Sequence, residues 1–286
     1  MWVVMALLSA LFAGLTAILS KMSVRSTDST VATAIRTTVV LAFAWLMAWM
    51  QGLCARLPSL PLRAYGFLAL SGLCTGGSWL CYFHALKLGP VSRVAAVDKS
   101  STVLTMLLAW LLLGEPLTWL KGLSIVLIGT GTLCMIQPAQ EARQAHSGRG
   151  WLPYAALSAL FAALTAILAK IGIENVPSDL ATALRTTVVL VMAWGMVAIG
   201  GKRDQLRNIE SGELRFLLLS GVATGLSWLC YYRALQEGPA GVVVPLDKLS
   251  IVVTVAFSRI ALKERLGRRA LAGLALLVAG TGLLLL

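Results

Sequence analysis

Six charged side chains fall inside long apolar stretches of the sequence, where charge is costly. Each one costs about 2.5–3.5 kcal/mol at the centre of a membrane-spanning helix. Each half of the chain carries one arginine and one Asp-Lys dipeptide: Arg36, Arg185, Asp98, Lys99, Asp247 and Lys248. Charges at such a depth are typical of substrate and ion pathways, so these six residues are candidates for a substrate-binding site.

Two roles are open for these charges. Neighbouring helical residues point about 100° apart, so Asp98 and Lys99 cannot share a helix face. One arrangement pairs Asp98 with an arginine and leaves Lys99 facing a cavity, where its ammonium would hold an anionic group. All six residues also lie near the start of their apolar stretch, where long side chains reach the headgroups and Arg–Asp pairs tie helices together. Both roles stay open for the arginines and aspartates, whereas substrate binding is favoured for the two lysines.

Aromatic residues form a second candidate cluster. Trp79 and Tyr82 match Trp228 and Tyr231, and a spacing of three places each Trp and Tyr on one helix face. Such aromatics pack in cores or line a membrane interface more often than they surround a ligand. We expect these four residues to line or gate the site.

The composition requires a membrane around these residues. Of the 286 residues, 58% are hydrophobic and 13% are charged, against about 45–50% and about 25% in soluble domains. Mean hydropathy is +0.83. These values exclude a water-soluble or disordered chain. The net charge of +12 comes mainly from residues between apolar runs, which is typical of membrane-protein loops rather than of nucleic-acid binding. The lipid bilayer is therefore the expected partner, and nucleic acid is not.

Ten apolar stretches approach the roughly 20 residues that a membrane-spanning helix needs. A polar segment at 137–150 separates five spans in residues 1–136 from five in residues 151–286. The predicted spans are 2–19, 31–50, 64–85, 94–113, 117–136, 151–169, 180–200, 214–235, 241–261 and 267–286. We therefore predict an all-α membrane protein with two domains joined by a short linker.

The second five spans repeat the first. LSALFAGLTAILSK at 8–21 matches LSALFAALTAILAK at 157–170, and GLCTG at 72–76 matches GVATG at 221–225. The two GxxxG segments predict close helix contacts. Because five is odd and the linker is too polar to span, the second copy is predicted to be inverted relative to the first. Inverted repeats with a site at their interface are the construction of many secondary transporters.

The sequence lacks the motifs of several kinds of chemistry. The sequence contains no GxxxxGK[ST], HExxH or GxSxG segment, and its five cysteines show no CxxC spacing. We therefore expect no ATP-driven motor, no metal site, no cofactor and no enzymatic activity.

The repeated segments resemble a known family. LSALFAGLTAILSK, ATAIRTTVVL, SGLCTGGSWLCY and RVAAVDKSSTVLTMLLAWLLLGEPLTW, with their second copies, resemble EamA domains, the repeat unit of the drug/metabolite transporter superfamily. The DKLS segment at 247–250 resembles the small five-span EamA proteins in particular, so the chain looks like two such units fused. The resemblance implies ten transmembrane helices in two inverted five-helix repeats, with helices 1–4 and 6–9 around a central cavity.

Two details of the repeats differ from this pattern. Gly114-Glu115 resembles the family's usual end of the fourth span, but the second copy has Lys263-Glu264-Arg265. Ala96 stands where the second copy has Pro245, so a helix kink is expected in the ninth span and not in the fourth.

Together these features predict a secondary active transporter in the inner membrane of a bacterium. It would export or exchange a small polar or anionic metabolite, such as an amino acid, by alternating access, with protons as a candidate coupling ion. Multidrug or cation efflux is an alternative that the positive core disfavours, and a non-transporting scaffold or accessory subunit is another. A homodimer is left open. The loop charges favour both termini outside the cell, whereas the family resemblance favours both inside.

Overall fold

The regular elements of the structure are helices. The computed structural model describes residues 1–23, 27–89, 91–135, 150–261 and 267–286. Its α-helices are α1 Trp2–Ser23, α2 Ser29–Met50, α3 Leu62–Leu88, α4 Val91–Lys99, α5 Ser101–Leu113, α6 Trp119–Met135, α7 Trp151–Gly172, α8 Ser178–Ile199, α9 Ser211–Glu237, α10 Ala240–Asp247, α11 Ser250–Ala261 and α12 Arg268–Leu283. Two short 3-10 helices lie at Leu53–Ser59 and Arg203–Asn208.

Seven stretches of the described residues are long and apolar enough to cross a membrane, and α6 is a shorter apolar helix. Five of the seven lie in the single helices α1, α2, α7, α8 and α9, and two run across the pairs α4–α5 and α10–α11. With α3, α6 and α12 they make the ten predicted spans. The all-α membrane fold is therefore confirmed. The predicted linker lies outside the described residues apart from Gly150, as do Lys263, Glu264 and Arg265.

The fourth and ninth spans are both broken into two helices. At the first break the Ser100 amide donates to Val97 three residues back, and at the second the Lys248 amide donates to Pro245 in the same way. Such i→i−3 bonds tighten the end of a helix. The expectation that only the span with Pro245 would deviate is wrong, because the fourth span breaks without a proline. Both breaks fall beside the Asp-Lys dipeptides.

The helices form two compact units, and each unit draws on both halves of the chain. The first comprises Met1–Leu73, Leu168–Gly238 and Ser250–Lys263, and the second Cys74–Ile167, Pro239–Leu249 and Glu264–Leu286. In the first unit α1 packs on α9 and α11, and α2 packs on α8 and α9. In the second α6 packs on α12, and α10 packs on α5.

Helices α2 and α8 of the first unit pack antiparallel through equivalent residues of the two repeats. The Trp45 indole donates to Thr187 at 3.3 Å, and the Trp194 indole donates to Thr38 at 3.1 Å. A residue in the second half of one helix thus meets a residue in the first half of the other, as an inverted repeat requires. Equivalent polar groups pair about a local two-fold axis.

Glycines of the predicted GxxxG segments permit these close contacts. A Cβ added to Gly72 would lie 2.8 Å from Val188 Cβ, and one added to Gly221 would lie 2.6 Å from Val39 Cβ. Real side chains do not approach so closely, so both crossings require glycine. The prediction of close helix contacts at these two glycines is confirmed.

Glycines also permit a close helix contact in the second unit. A Cβ on Gly131 of α6 or on Gly273 of α12 would lie 2.6 Å from the other glycine's carbonyl oxygen. Elsewhere in this unit, buried Ala85, Val94 and Ala155 bring α3, α4 and α7 together. This cluster fixes the short helix α4, which carries Asp98 and Lys99.

Candidate functional site

The predicted site residues are divided between the two units. The first unit holds Arg36, Arg185, Trp228 and Tyr231, and the second holds Trp79, Tyr82, Asp98, Lys99, Asp247 and Lys248.

In the second unit, a chain of hydroxyl groups holds Asp98 in place. Ser158 donates to Asp98 Oδ1 at 2.8 Å, and Ser78 donates to the Ser158 carbonyl at 3.0 Å. Tyr82 lies within electrostatic range of the same carboxylate. Asp98 on α4 is therefore tied to α7, and through it to α3, by hydroxyl groups rather than by the arginine that the sequence suggested. This arrangement leaves the negative charge uncompensated by any bonded cation among the described residues.

Lys99 and Lys248 lie within electrostatic range of each other in this unit, and Asp98 and Asp247 lie within range of Lys99. Lys99 is exposed and Lys248 is half-buried. Within the described ranges neither ammonium has a hydrogen bond or an ion pair within 4 Å. Each lysine stands at the carboxyl end of a short half-helix, where the helix dipole favours a cation. The dipoles offset part of the repulsion between the two ammonium groups and leave their donors available.

Arg185 in the first unit is held by specific contacts. It is 2% exposed, and its Nε donates to Ser71 Oγ at 3.0 Å. Its guanidinium carbon lies 5.2 Å from the centroid of Trp228 and 5.0 Å from that of Tyr232. Hydrogen bonding and cation–π contacts thus fix this arginine as a bridge from α8 to α3 and α9.

Arg36 occupies the equivalent position in α2 but lacks such contacts. It is half-buried, and its buried Nε has no hydrogen-bond partner in the described part of the chain. Ser220, the counterpart of Ser71, donates instead to Leu217 of its own helix. The two matched arginines are therefore not equivalent.

The sequence matches the EamA-like transporter family over residues 1–137 and again over residues 149–286. Together these two matches cover nearly all of the chain. The chain belongs to the EamA-like transporter family. It is a multi-pass membrane transporter built from two EamA repeats, as the resemblance implied.

Known relatives of this transporter include shorter proteins. An uncharacterized transporter from Sinorhizobium sp, named for the cobO 3' region, is 46% identical over 136 residues, which are 48% of this chain and 96% of that protein. A probable 4-amino-4-deoxy-L-arabinose-phosphoundecaprenol flippase subunit ArnE from Pseudomonas aeruginosa is 35% identical over 91 residues, which are 32% of this chain and 74% of that protein. The Sinorhizobium protein matches about half of this chain over almost its whole length, which agrees with a chain made of two fused copies.

A solved crystal structure shares the fold. It superimposes with a TM-score of 0.76, covers 98% of this chain and 96% of its own, and is 18% identical. An uncharacterized transporter from Archaeoglobus fulgidus is 26% identical over 209 residues, which are 72% of this chain and 70% of that protein.

The Gly114-Glu115 segment of the EamA transporter caps a helix of the other repeat. Gly114 has a φ of 67° and ends α5 in the left-handed conformation. Glu115 then accepts from the amides of Ala240 at 2.6 Å and Gly241 at 3.0 Å. A carboxylate at this end stabilises a helix by satisfying free amides and by opposing the dipole. The segment therefore positions α10, whose last residue is Asp247.

Sequence reasoning missed Ser158, Tyr232 and the capping role of Glu115. Tyr232 is four residues after Trp228, and this i, i+4 spacing was an available signal. The other two pair with residues 60 and 125 positions away, which no local pattern reveals.

Proposed function

We propose that this transporter is a secondary active transporter of a small metabolite that carries an anionic group, a carboxylate or a phosphate. The observation that supports the proposal is the pair of lysines, Lys99 and Lys248, which lie within electrostatic range of each other without bonded partners among the described residues. An anion between two ammonium groups gains attraction from both, and this attraction offsets their mutual repulsion. In a membrane-embedded site this energy is larger than in water.

The broken spans supply a route for alternating access. In transporters with inverted repeats, discontinuous helices form the substrate site, and one repeat moves against the other around it. Here each Asp-Lys dipeptide lies at such a break, between α4 and α5 or between α10 and α11. Asp98 and Asp247 are the proposed proton carriers, because each carboxylate stands next to a substrate-binding lysine. Trp79, Tyr82, Trp228 and Tyr231 are proposed to line or gate the path.

A relative's name agrees with an anionic substrate. The Pseudomonas aeruginosa flippase subunit is named for a phosphoundecaprenol-linked sugar, which contains a phosphate. For the present transporter we propose a small polar metabolite of this charge type, exported or exchanged across the inner membrane of a bacterium.

The test is counterflow into proteoliposomes with a panel of amino acids, organic acids and sugar phosphates. The variant Lys99→Gln/Lys248→Gln should lose transport of the active compound by at least about tenfold, because losing a bond to a charged group costs about 1.5–3 kcal/mol. Its abundance and thermal stability should stay unchanged. Lys87→Gln, which removes an exposed lysine in the last turn of α3, is the matched control.

Normal transport by the double variant would contradict the lysine site. Counterflow of organic cations alone would support multidrug efflux instead. A reconstituted, folded chain that exchanges no compound of the panel would support the non-transporting scaffold or accessory subunit.

A further inference from the structure

A cavity of about 440 Å³ lies in the first unit, at the ends of three spans. Its walls come from the end of α2 and the 3-10 helix after it, from the segment between α7 and α8, and from the last turns of α9. The volume is within the range of about 300–1,000 Å³ that is usual for small-molecule sites. Gln51 on its wall lies about 22 Å along α2 from Arg36, at 1.5 Å per residue, so the cavity is separate from the candidate arginine site.

Four charged residues line this cavity, and two of them are already paired. Asp179 accepts from the Gln51 side chain at 2.6 Å, and Arg233 forms an ion pair with Glu237 at 2.7 Å. The remaining two, Arg56 and Glu174, are exposed, and their side-chain charged groups have no hydrogen bond or ion pair to any residue in the described ranges. The cavity thus presents the Arg56 guanidinium and the Glu174 carboxylate without bonded partners among the described residues, beside an Asp179 carboxylate that is bonded to neutral groups.

The backbone on both sides of the cavity is held in place. On the Arg56 side, Ser59 donates to the Arg56 carbonyl at 2.8 Å, and Tyr65 donates to the Leu57 carbonyl at 2.7 Å. On the Glu174 side, the Gln236 side chain donates to the carbonyls of Ile173 and Val176 at 2.9 and 2.8 Å. These bonds fix the backbone that carries each of the two charged side chains.

We propose that this cavity binds a zwitterionic ligand, with its anionic group at Arg56 and its ammonium group at Glu174. The planar guanidinium matches a phosphate or carboxylate with two parallel hydrogen bonds. The carboxylate of Glu174 is an acceptor for an ammonium. Because the cavity lies where spans end, the zwitterion has two sources, a phosphoethanolamine lipid headgroup or a free metabolite of the same chemistry. The proposal does not depend on the transported substrate.

The experiment measures binding to the purified full chain in lipid-free detergent. O-Phosphoethanolamine should bind saturably, and Glu174→Gln should weaken its affinity by about tenfold or more while leaving inorganic phosphate unaffected. Arg56→Gln should weaken both ligands. Arg63→Gln is the control, since Arg63 is an exposed cation of the same unit that contacts Phe67 and lies outside the cavity.

Nanodiscs separate the two sources. If the lipid headgroup is the ligand, the chain should be thermally more stable in phosphatidylethanolamine than in phosphatidylglycerol. Glu174→Gln should abolish this difference. Binding of the soluble compound without this lipid effect identifies a free zwitterion. The proposal is overturned if O-phosphoethanolamine and the lipid both fail to act, or if Glu174→Gln and Arg56→Gln bind as the unchanged chain does.

Discussion

Arg36 and Arg185 form a matched pair for measuring what contacts contribute inside a membrane span. Each is the eighth residue of its helix, α2 or α8. We consider the replacement of each arginine by leucine. Arg36→Leu removes a charge with no bonded partner in the described residues, whereas Arg185→Leu also removes one hydrogen bond and two ring contacts.

The magnitude follows from comparing the two variants. Removing a charge from a span gains about 2.5–3.5 kcal/mol on insertion scales, and we take this gain as similar for both because each arginine stands equally far from the start of its helix. Arg185→Leu loses in addition a charged hydrogen bond worth about 1.5–3 kcal/mol and two cation–π contacts worth about 0.5–2 kcal/mol each. Arg185→Leu should therefore be less stable than Arg36→Leu by about 2.5–7 kcal/mol.

The assay is equilibrium unfolding in mixed micelles of a mild detergent and SDS, followed by tryptophan fluorescence. Arg36→Leu should unfold at the same SDS fraction as the unchanged chain or at a higher one. Arg185→Leu should unfold at a lower SDS fraction than the unchanged chain. Arg185→Lys should also unfold at a lower SDS fraction, because lysine keeps the charge but lacks the Nε–H group that donates to Ser71. Equal stability of the two leucine variants, or a larger loss from Arg36→Leu, would refute the inferred inequivalence.

Two further predictions concern helix ends. Glu115→Ala should lower the free energy of unfolding by about 1–2 kcal/mol because α10 loses its amino-terminal cap; the same SDS titration measures it, and unchanged stability would rule out the capping role. At the start of α2, partial burial opposes ionisation of Asp28, but the Lys202 ammonium at 2.7 Å and the Thr30 amide hold the pKa of that carboxyl below its ordinary value. The ion pair therefore stabilises the fold above about pH 4 and is lost as the pH falls through the lowered pKa. Thermal unfolding is measured between about pH 3 and about pH 7, a range that includes the ordinary pKa of an aspartate. The melting temperature of Asp28→Asn should fall less at acid pH than that of the unchanged chain, and an identical pH profile would contradict this account.

The spans and the repeat were predictable from sequence because they rest on local composition. Runs of apolar residues such as 2–19 locate a span without knowledge of its neighbours. The match between 8–21 and 157–170 shows the duplication, and an odd number of spans per copy makes the copies antiparallel. The break at Ser100 was not predictable, because residues 94–113 contain no proline or glycine, the residues that most often interrupt a helix.

The partners of the site residues were not predictable in the same way. Ser158 was a residue of the repeat without an assigned role, and its bond to Asp98 depends on how α4 packs on α7. The contact of Arg185 with Ser71 joins residues 114 positions apart. A charged residue in an apolar span shows that some group must bond to it. Which group does so depends on how the helices pack, and the sequence does not show that packing.

The two repeats keep the same contacts between helices while their charged side chains differ. Ser227 donates to the Ser9 carbonyl in the first unit, at 3.1 Å, as Ser78 donates to the Ser158 carbonyl in the second. These equivalent hydroxyl contacts let each copy form the same helix packing. Arg185 is fixed by a hydrogen bond and two ring contacts, whereas the buried Nε of Arg36 has no partner in the described residues, so the duplicated helices place their matched arginines in different surroundings.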